Sequence, residues 1–133
     1  VSADANRGIK FWNPTNGVET RTSVVQTGAD YIVEAQTAAF SLDGQFAVFD
    51  DGIRSASLFE TSSGREIESL ENHSFGFKSA VISSDNNWLA VGSIDNTVKL
   101  WDLQTGQSLP PLAGHSGNVR SVLFTTDNRR IIS

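Results

Sequence analysis

The 133-residue sequence has no cysteine and no methionine, two histidines, three prolines and one tyrosine. Without cysteine there is neither a disulfide framework nor thiolate chemistry, and two histidines leave little for a metal site; no cofactor is expected. No apolar run approaches the roughly 18 residues of a membrane helix, so no membrane partner is expected. The amino terminus, Val1-Ser2-Ala3-Asp4-Ala5-Asn6-Arg7, lacks the basic start and apolar stretch of a signal peptide, and with cysteine absent the expected compartment is the cytoplasm. Positive charge is also scarce. Ten Lys and Arg against fifteen Asp and Glu give a net charge of −5, which argues against a polyanion binder and removes nucleic acid from the expected partners. With no methionine and an abrupt first residue, the chain reads as a processed product or a fragment. What is present is an ordinary globular composition, 38% hydrophobic and 19% charged, at a length that suits one domain or part of one.

The informative feature is self-similarity. Lys99-Leu100-Trp101-Asp102-Leu103-Gln104-Thr105-Gly106 aligns with Ser57-Leu58-Phe59-Glu60-Thr61-Ser62-Ser63-Gly64 and with Lys10-Phe11-Trp12-Asn13-Pro14-Thr15-Asn16-Gly17, at separations of 42 and 47. A second register agrees: Phe40-Ser41-Leu42-Asp43, Ile82-Ser83-Ser84-Asp85 and Phe124-Thr125-Thr126-Asp127 recur every 42 residues, as do His73 and His115. The five extra residues of the longer interval are placed in Gln26-Thr27-Gly28-Ala29-Asp30. Periods of this size indicate a repeat architecture. Within one period, Phe77 to Ser83, Trp88 to Gly92, Thr97 to Asp102 and Gln107 to Leu112 read as four strands separated by turn formers. No helical periodicity of useful length occurs, which disfavours ankyrin and tetratricopeptide units. Four strands per period is the blade of a β-propeller.

Gly114-His115, Trp101-Asp102, the Ser-x-Asp turns and Asp95-Asn96-Thr97-Val98-Lys99-Leu100-Trp101 resemble the WD-repeat β-propeller family, and the resemblance covers the whole chain. It implies an all-β fold of four-stranded antiparallel blades. Residues 1–22 supply strands b, c and d of a first blade, 31–70 a second blade, 73–112 a third, and 115–133 strands a and b of a further one. About three blades, two complete and two partial, leave the ring incomplete unless the chain is longer or oligomerises, since full propellers of this kind need about seven. Ser2 to Ser133 spans three whole periods cut in register. The resemblance also implies a buried His, Ser or Thr, Asp and Trp network in each blade. By spacing this gives His73, Val91, Asp95 and Trp101 in the third blade, where the hydroxyl is missing. It gives Tyr31, Phe49, Ile53 and Phe59 in the second, where an apolar set replaces it. Ser2, Asn6 and Trp12 stand at the start, His115 and Ser133 at the end.

The two histidines recur at repeat spacing and are read as structural; Asp43, Asp85 and Asp127 are read as turn formers. No nucleophile elbow or phosphate loop occurs, so no catalytic residue is assigned and the protein is read as a non-enzyme. The family's usual partner surface is the narrow face around the channel. Carried onto this chain it comprises Gly76, Lys78 and Ile94 in the third blade, Glu34, Gln36 and Gly52 in the second, Asn118 and Arg120 in the last, and Ala5 in the first. Arg120 is the foremost candidate anchor; Phe75 and Phe77 either join it or pack beneath the loop. Arg129-Arg130 reads as a solvated hairpin tip. The expected function is a scaffold binding a protein or peptide on the channel-mouth face. The alternative is a self-assembling unit that closes a six- or nine-bladed ring head to tail.

Overall fold

Short alternating runs between turn formers build strands, and among the described residues they build nothing else regular. The structure, a computed structural model, describes residues 2–3, 8–13, 15–24, 38–50, 56–70 and 76–133. Its strands are β1 (Ser2–Ala3), β2 (Gly8–Trp12), β3 (Glu19–Val24), β4 (Ala38–Phe40), β5 (Phe46–Asp50), β6 (Ala56–Glu60), β7 (Glu66–Leu70), β8 (Phe77–Ile82), β9 (Trp88–Ser93), β10 (Val98–Asp102), β11 (Leu123–Phe124) and β12 (Ile131–Ile132). They form four antiparallel meanders: β1-β2-β3, β4-β5-β6-β7, β8-β9-β10 and β11-β12. Pairing register repeats with the sequence, since Ala47 faces Phe59 as Leu89 faces Trp101, and Ser2 faces Lys10 as Val91 faces Lys99. The insertion at 26–30 and the projected anchors Tyr31 and Ile53 lie outside the described residues.

The expected fourth strand of the third sheet, Gln107 to Leu112, is not continuous. Ser108 bridges Trp101 and Leu112 bridges Val98, with Leu109 N–H donating to the Leu100 carbonyl at 2.9 Å. Pro110 and Pro111 lie between the bridges, and neither has an N–H to donate, so the ladder is interrupted there.

One turn is built three times. Ser41, Ser83 and Thr125 each donate a side-chain hydrogen bond to the aspartate two residues on, at 2.6, 2.6 and 2.5 Å. The same hydroxyls accept from the backbone of Phe46, Trp88 and Arg130, while the aspartates accept from Gln45, Asn87 and Arg129. The position after each aspartate is left-handed: Gly44, Asn86 and Asn128 have φ of 71°, 59° and 55°. Glycine and asparagine are the residues that tolerate this conformation, which explains their recurrence at the spacing of the aspartates. The two asparagines also bind the preceding repeat, Asn86 Nδ2 donating to Asp43 Oδ2 at 2.6 Å and Asn128 Nδ2 to Ser84 Oγ at 2.9 Å. A ladder between successive sheets thus runs along the turn end.

The hydroxyl bonds from Ser41, Ser83 and Thr125, followed by the backbone bonds, hold Asp43, Asp85 and Asp127 below the usual carboxylate range. A carboxylate with a lowered folded pKa stabilises the fold fully above its unfolded value, about 3.9, and that contribution is lost as pH falls through the folded value. Thermal melts should therefore hold steady from neutrality to about pH 5 and decline below about pH 4. A triple Asp→Asn variant at 43, 85 and 127 should show a shallower acid decline; an unchanged profile would remove these turns as its cause.

The core lies between sheets, because strand alternation gives each sheet two apolar faces. On one face of the third sheet Leu89, Val91, Trp101, Phe77 and Ile82 pack against Ala39, Val48 and Leu58 of the second. On the other, Ala90, Val98 and Leu100 pack against Val119 and Val122. In the second sheet the apolar substitutes are in contact: the Phe49 and Phe59 rings lie 5.8 Å apart at 61°, and Phe40 meets Phe49 edge-on at 6.3 Å. Trp12 differs from its repeat equivalents. Expected within a buried network, it is 44% exposed, against 1% for Phe59 and 3% for Trp101. Among the described residues no sheet packs on the face of the first sheet that corresponds to the one Trp101 turns to the second, and Lys10 lies over the Trp12 ring at 5.8 Å.

Candidate functional site

At the end opposite the Ser-x-Asp turns, a change of register decides what reaches the surface. In β8, Phe77 pairs with Ser93 and Ser79 with Gly92, so Lys78 is an extra residue in a β-bulge. Ala80 and Ile82 face the second sheet with Val91 and Leu89; strict alternation would send Lys78 into that core and Phe77 out of it. The bulge reverses this. Phe77 is buried at 2% exposure, and Lys78 is exposed. Bulges commonly re-aim a side chain in this way. Val119 and Val122, the repeat equivalents of Phe77 and Ala80, keep the same three-residue spacing within one cluster, and Arg120 between them is exposed.

The two segments are fastened to each other. Val119 N–H donates to the Ser93 carbonyl at 3.0 Å, and Val122 N–H to Ser79 Oγ at 3.2 Å. Lys78, Asn118 and Arg120 consequently line one cavity of about 380 Å³. Ile94, assigned to the same face, is half-buried, with its N–H directed at the Gly76 carbonyl at 3.5 Å. Phe77, considered as a partner anchor, is corrected to a core residue. Phe75, Glu34, Gln36, Gly52 and Ala5 lie outside the described residues.

Asp95 organises the adjoining turn. Thr97 donates to its Oδ1 through the backbone at 3.0 Å and the hydroxyl at 2.6 Å, Lys99 Nζ lies 3.3 Å from Oδ2, and the Asp95 N–H donates to Ser93 Oγ. Burial raises its pKa, but the Thr97, Lys99 and Ser93 bonds outweigh it and hold the carboxyl below its ordinary value. Trp101 packs in the core; His73 and Asn6 lie outside the described residues, and Ser2 is placed by its pairing with Lys10. His115 Nε2 and Ser133 Oγ are 2.7 Å apart and both residues are exposed, in place of the expected burial, with no strand packed over them among the described residues. A hydroxyl on an imidazole is also a nucleophile–base contact. Among the described residues, however, no carboxylate bonds the other ring nitrogen, and the pair ties a loop to a strand end.

Arg129 and Arg130 are exposed at their turn, as expected, but also line a second cavity of about 330 Å³ with Trp88, Leu100, Leu112, Phe124, Asn128 and Ile131. Periodicity alone gave no signal for this cavity, which lies between the third sheet and β11-β12. Among the described residues no group of three His, Asp or Glu side chains could hold a metal ion, and no helix is long and apolar enough to cross a membrane.

Comparison with known proteins agrees with this architecture. Residues 64–102 match the family described as WD domain, G-beta repeat. Two similar solved structures are "Structure of U3-55K", with TM-score 0.71 and 19% identity, and "Crystal structure of RRP9 WD40 repeats", with TM-score 0.72 and 18% identity. Each match covers 90% of this chain, which spans 37% and 36% of those chains respectively. No curated protein matches the sequence. WD repeats generally serve as scaffolds for protein interaction and are generally not enzymes. Residues 64–102 thus form a WD repeat, and over nine-tenths of its length the chain has the fold of WD-propeller blades, all-β and antiparallel, with the ring incomplete.

Proposed function

We propose that the chain is a non-enzymatic interaction scaffold that binds a peptide or protein through the face carrying Lys78, Asn118 and Arg120, with Ile94 beside them. The observation that supports this is the shared cavity: three exposed polar side chains from two successive repeats converge on it, held from behind by buried Phe77 and Val119. Such a division separates recognition from stability, since loops on a rigid frame can vary without disturbing the core. The test is selection from a random peptide library with the 133-residue chain as bait. Selected peptides should bind Arg120→Ala about tenfold more weakly, with the melting temperature within about 2 °C of the parent, as expected for an exposed side chain away from the core. Peptides that bind Arg120→Ala and Lys78→Ala as well as the parent would place recognition elsewhere.

A second reading, head-to-tail association of copies into a ring, is favoured by apolar surface near β11-β12. Leu112, Leu123 and Ile132 are 46%, 56% and 58% exposed; Leu112 lines the cavity with Trp88 and Phe124, and Leu123 pairs with Ile132 in the β11-β12 hairpin. Large apolar side chains exposed near a sheet end are a common mark of an interface. Light scattering over a tenfold concentration range should give a discrete dimer or trimer, with a melting temperature that rises with concentration. A monomer at every concentration would exclude it.

A further inference from the structure

We infer that the Lys78–Asn118–Arg120 cavity takes an acidic side chain, Asp or Glu in an extended peptide segment of the partner; this rests on the interaction-scaffold reading above. Lys78 and Arg120 offer only donors, Asn118 offers both a donor and an acceptor, and a guanidinium can bind a carboxylate through two parallel hydrogen bonds. Among the described residues neither cation is ion-paired, although the chain as a whole has five more acidic than basic residues. Lys10 and Lys99, by contrast, have Glu19 and Asp95 at 2.8 and 3.3 Å. Two cations placed together on an anionic chain form a local positive site, which attracts an acidic side chain and repels a basic one.

The positions are also not dictated by the repeat. Turn hydroxyls recur as Ser41, Ser83 and Thr125 because each copy needs the same bonds, whereas the position of Lys78 and Arg120 is occupied by Gln36 in the preceding period. Positive charge here is therefore no requirement of blade geometry. At about 380 Å³ the cavity is at the small end for ligand sites, a size for one or two side chains. The bulge at Lys78 and the backbone bond from Val119 to Ser93 hold the two cations on adjoining, fastened segments.

The experiment uses the peptides selected above, measured by fluorescence anisotropy against the parent chain, Lys78→Gln/Arg120→Gln and Arg120→Lys. The selected peptides should carry an excess of Asp and Glu. Replacing those residues by Asn and Gln should weaken binding at least tenfold on the parent but less than twofold on the double Gln variant. Arg120→Lys should retain part of the affinity, and raising salt from 50 to 500 mM should weaken parent binding. Peptides that depend on Lys78 and Arg120 but have no acidic preference would overturn the acidic assignment alone. Tighter binding of a mixed-sequence oligonucleotide at the same residues would also overturn it. Peptides indifferent to both cations, or no selected peptide, would overturn the interaction reading with it. Thermal melts of each variant verify that the fold is retained.

Discussion

Replacing Trp101 by alanine should destabilise the chain by about 3–5 kcal/mol, the usual cost of deleting a large buried aromatic side chain. The ring is 3% exposed and sits in the cluster where Leu89, Val91 and Phe77 of the third sheet meet Ala39, Val48 and Leu58 of the second. Its loss opens a cavity between two sheets, neither of which has another apolar layer on that side. Since a domain of this size is stable by about 5–15 kcal/mol, the variant should lose cooperative unfolding or melt many degrees lower. The internal control is Trp12→Ala. It is the same residue at the same repeat position but 44% exposed, and its substitution should cost under about 1 kcal/mol. Urea titration followed by far-ultraviolet circular dichroism reads both. Equal effects at the two positions would show that the second-to-third sheet packing does not carry the stability assigned to it.

Gly92→Ala should be the second most damaging change, by about 1–3 kcal/mol, although it adds one methyl group. A Cβ at Gly92 would lie 2.7 Å from the Val119 carbonyl oxygen and 2.9 Å from its Cγ1. The oxygen belongs to the backbone segment whose N–H is bonded to Ser93, so it cannot move aside without breaking that bond. Val119→Ala removes the Cγ1 contact but leaves the carbonyl, and should therefore fail to rescue Gly92→Ala in a double variant. Gly76→Ala is the matched control, since a Cβ there meets nothing within 4 Å. Because the clash lies where the third sheet meets the segment carrying Asn118 and Arg120, Gly92→Ala should also weaken peptide binding. Rescue by Val119→Ala would locate the contact in the side chain instead.

Much of this architecture is legible before any coordinates. The recurrence of Ser-x-Asp and of aromatic-plus-glycine segments specifies strands, turns and blade period, because each copy of a turn needs the same hydroxyl, carboxylate and left-handed residue in the same order. Spacing from the signature histidines also selects Lys78, Asn118 and Arg120, which the tertiary structure brings to one cavity. Other features depend on neighbours the sequence does not reveal. Trp12 and Trp101 have the same local motif, yet one is exposed and the other buried, since burial is decided by the sheet alongside. Gln107 to Leu112 reads as a strand in the sequence; Pro110-Pro111 within it is the signal for the interruption, but which pairings survive around them depends on the partner strand.

The bulge marks the boundary between the two kinds of information most sharply. Read by strict alternation from Ala80 and Ile82, Lys78 is the inward residue and Phe77 the outward one, and the sequence leaves Phe77 either as a surface anchor beside Arg120 or as packing beneath the loop. The pairing of Phe77 with Ser93 and Ser79 with Gly92 settles which points where. Local sequence thus determined the repeat, the turn chemistry and the set of residues available to a site, because those follow from short-range hydrogen bonding and periodicity. Tertiary structure alone decided which of them are buried, which are aimed outward and which meet across two repeats, because those outcomes depend on the packing of one sheet against the next.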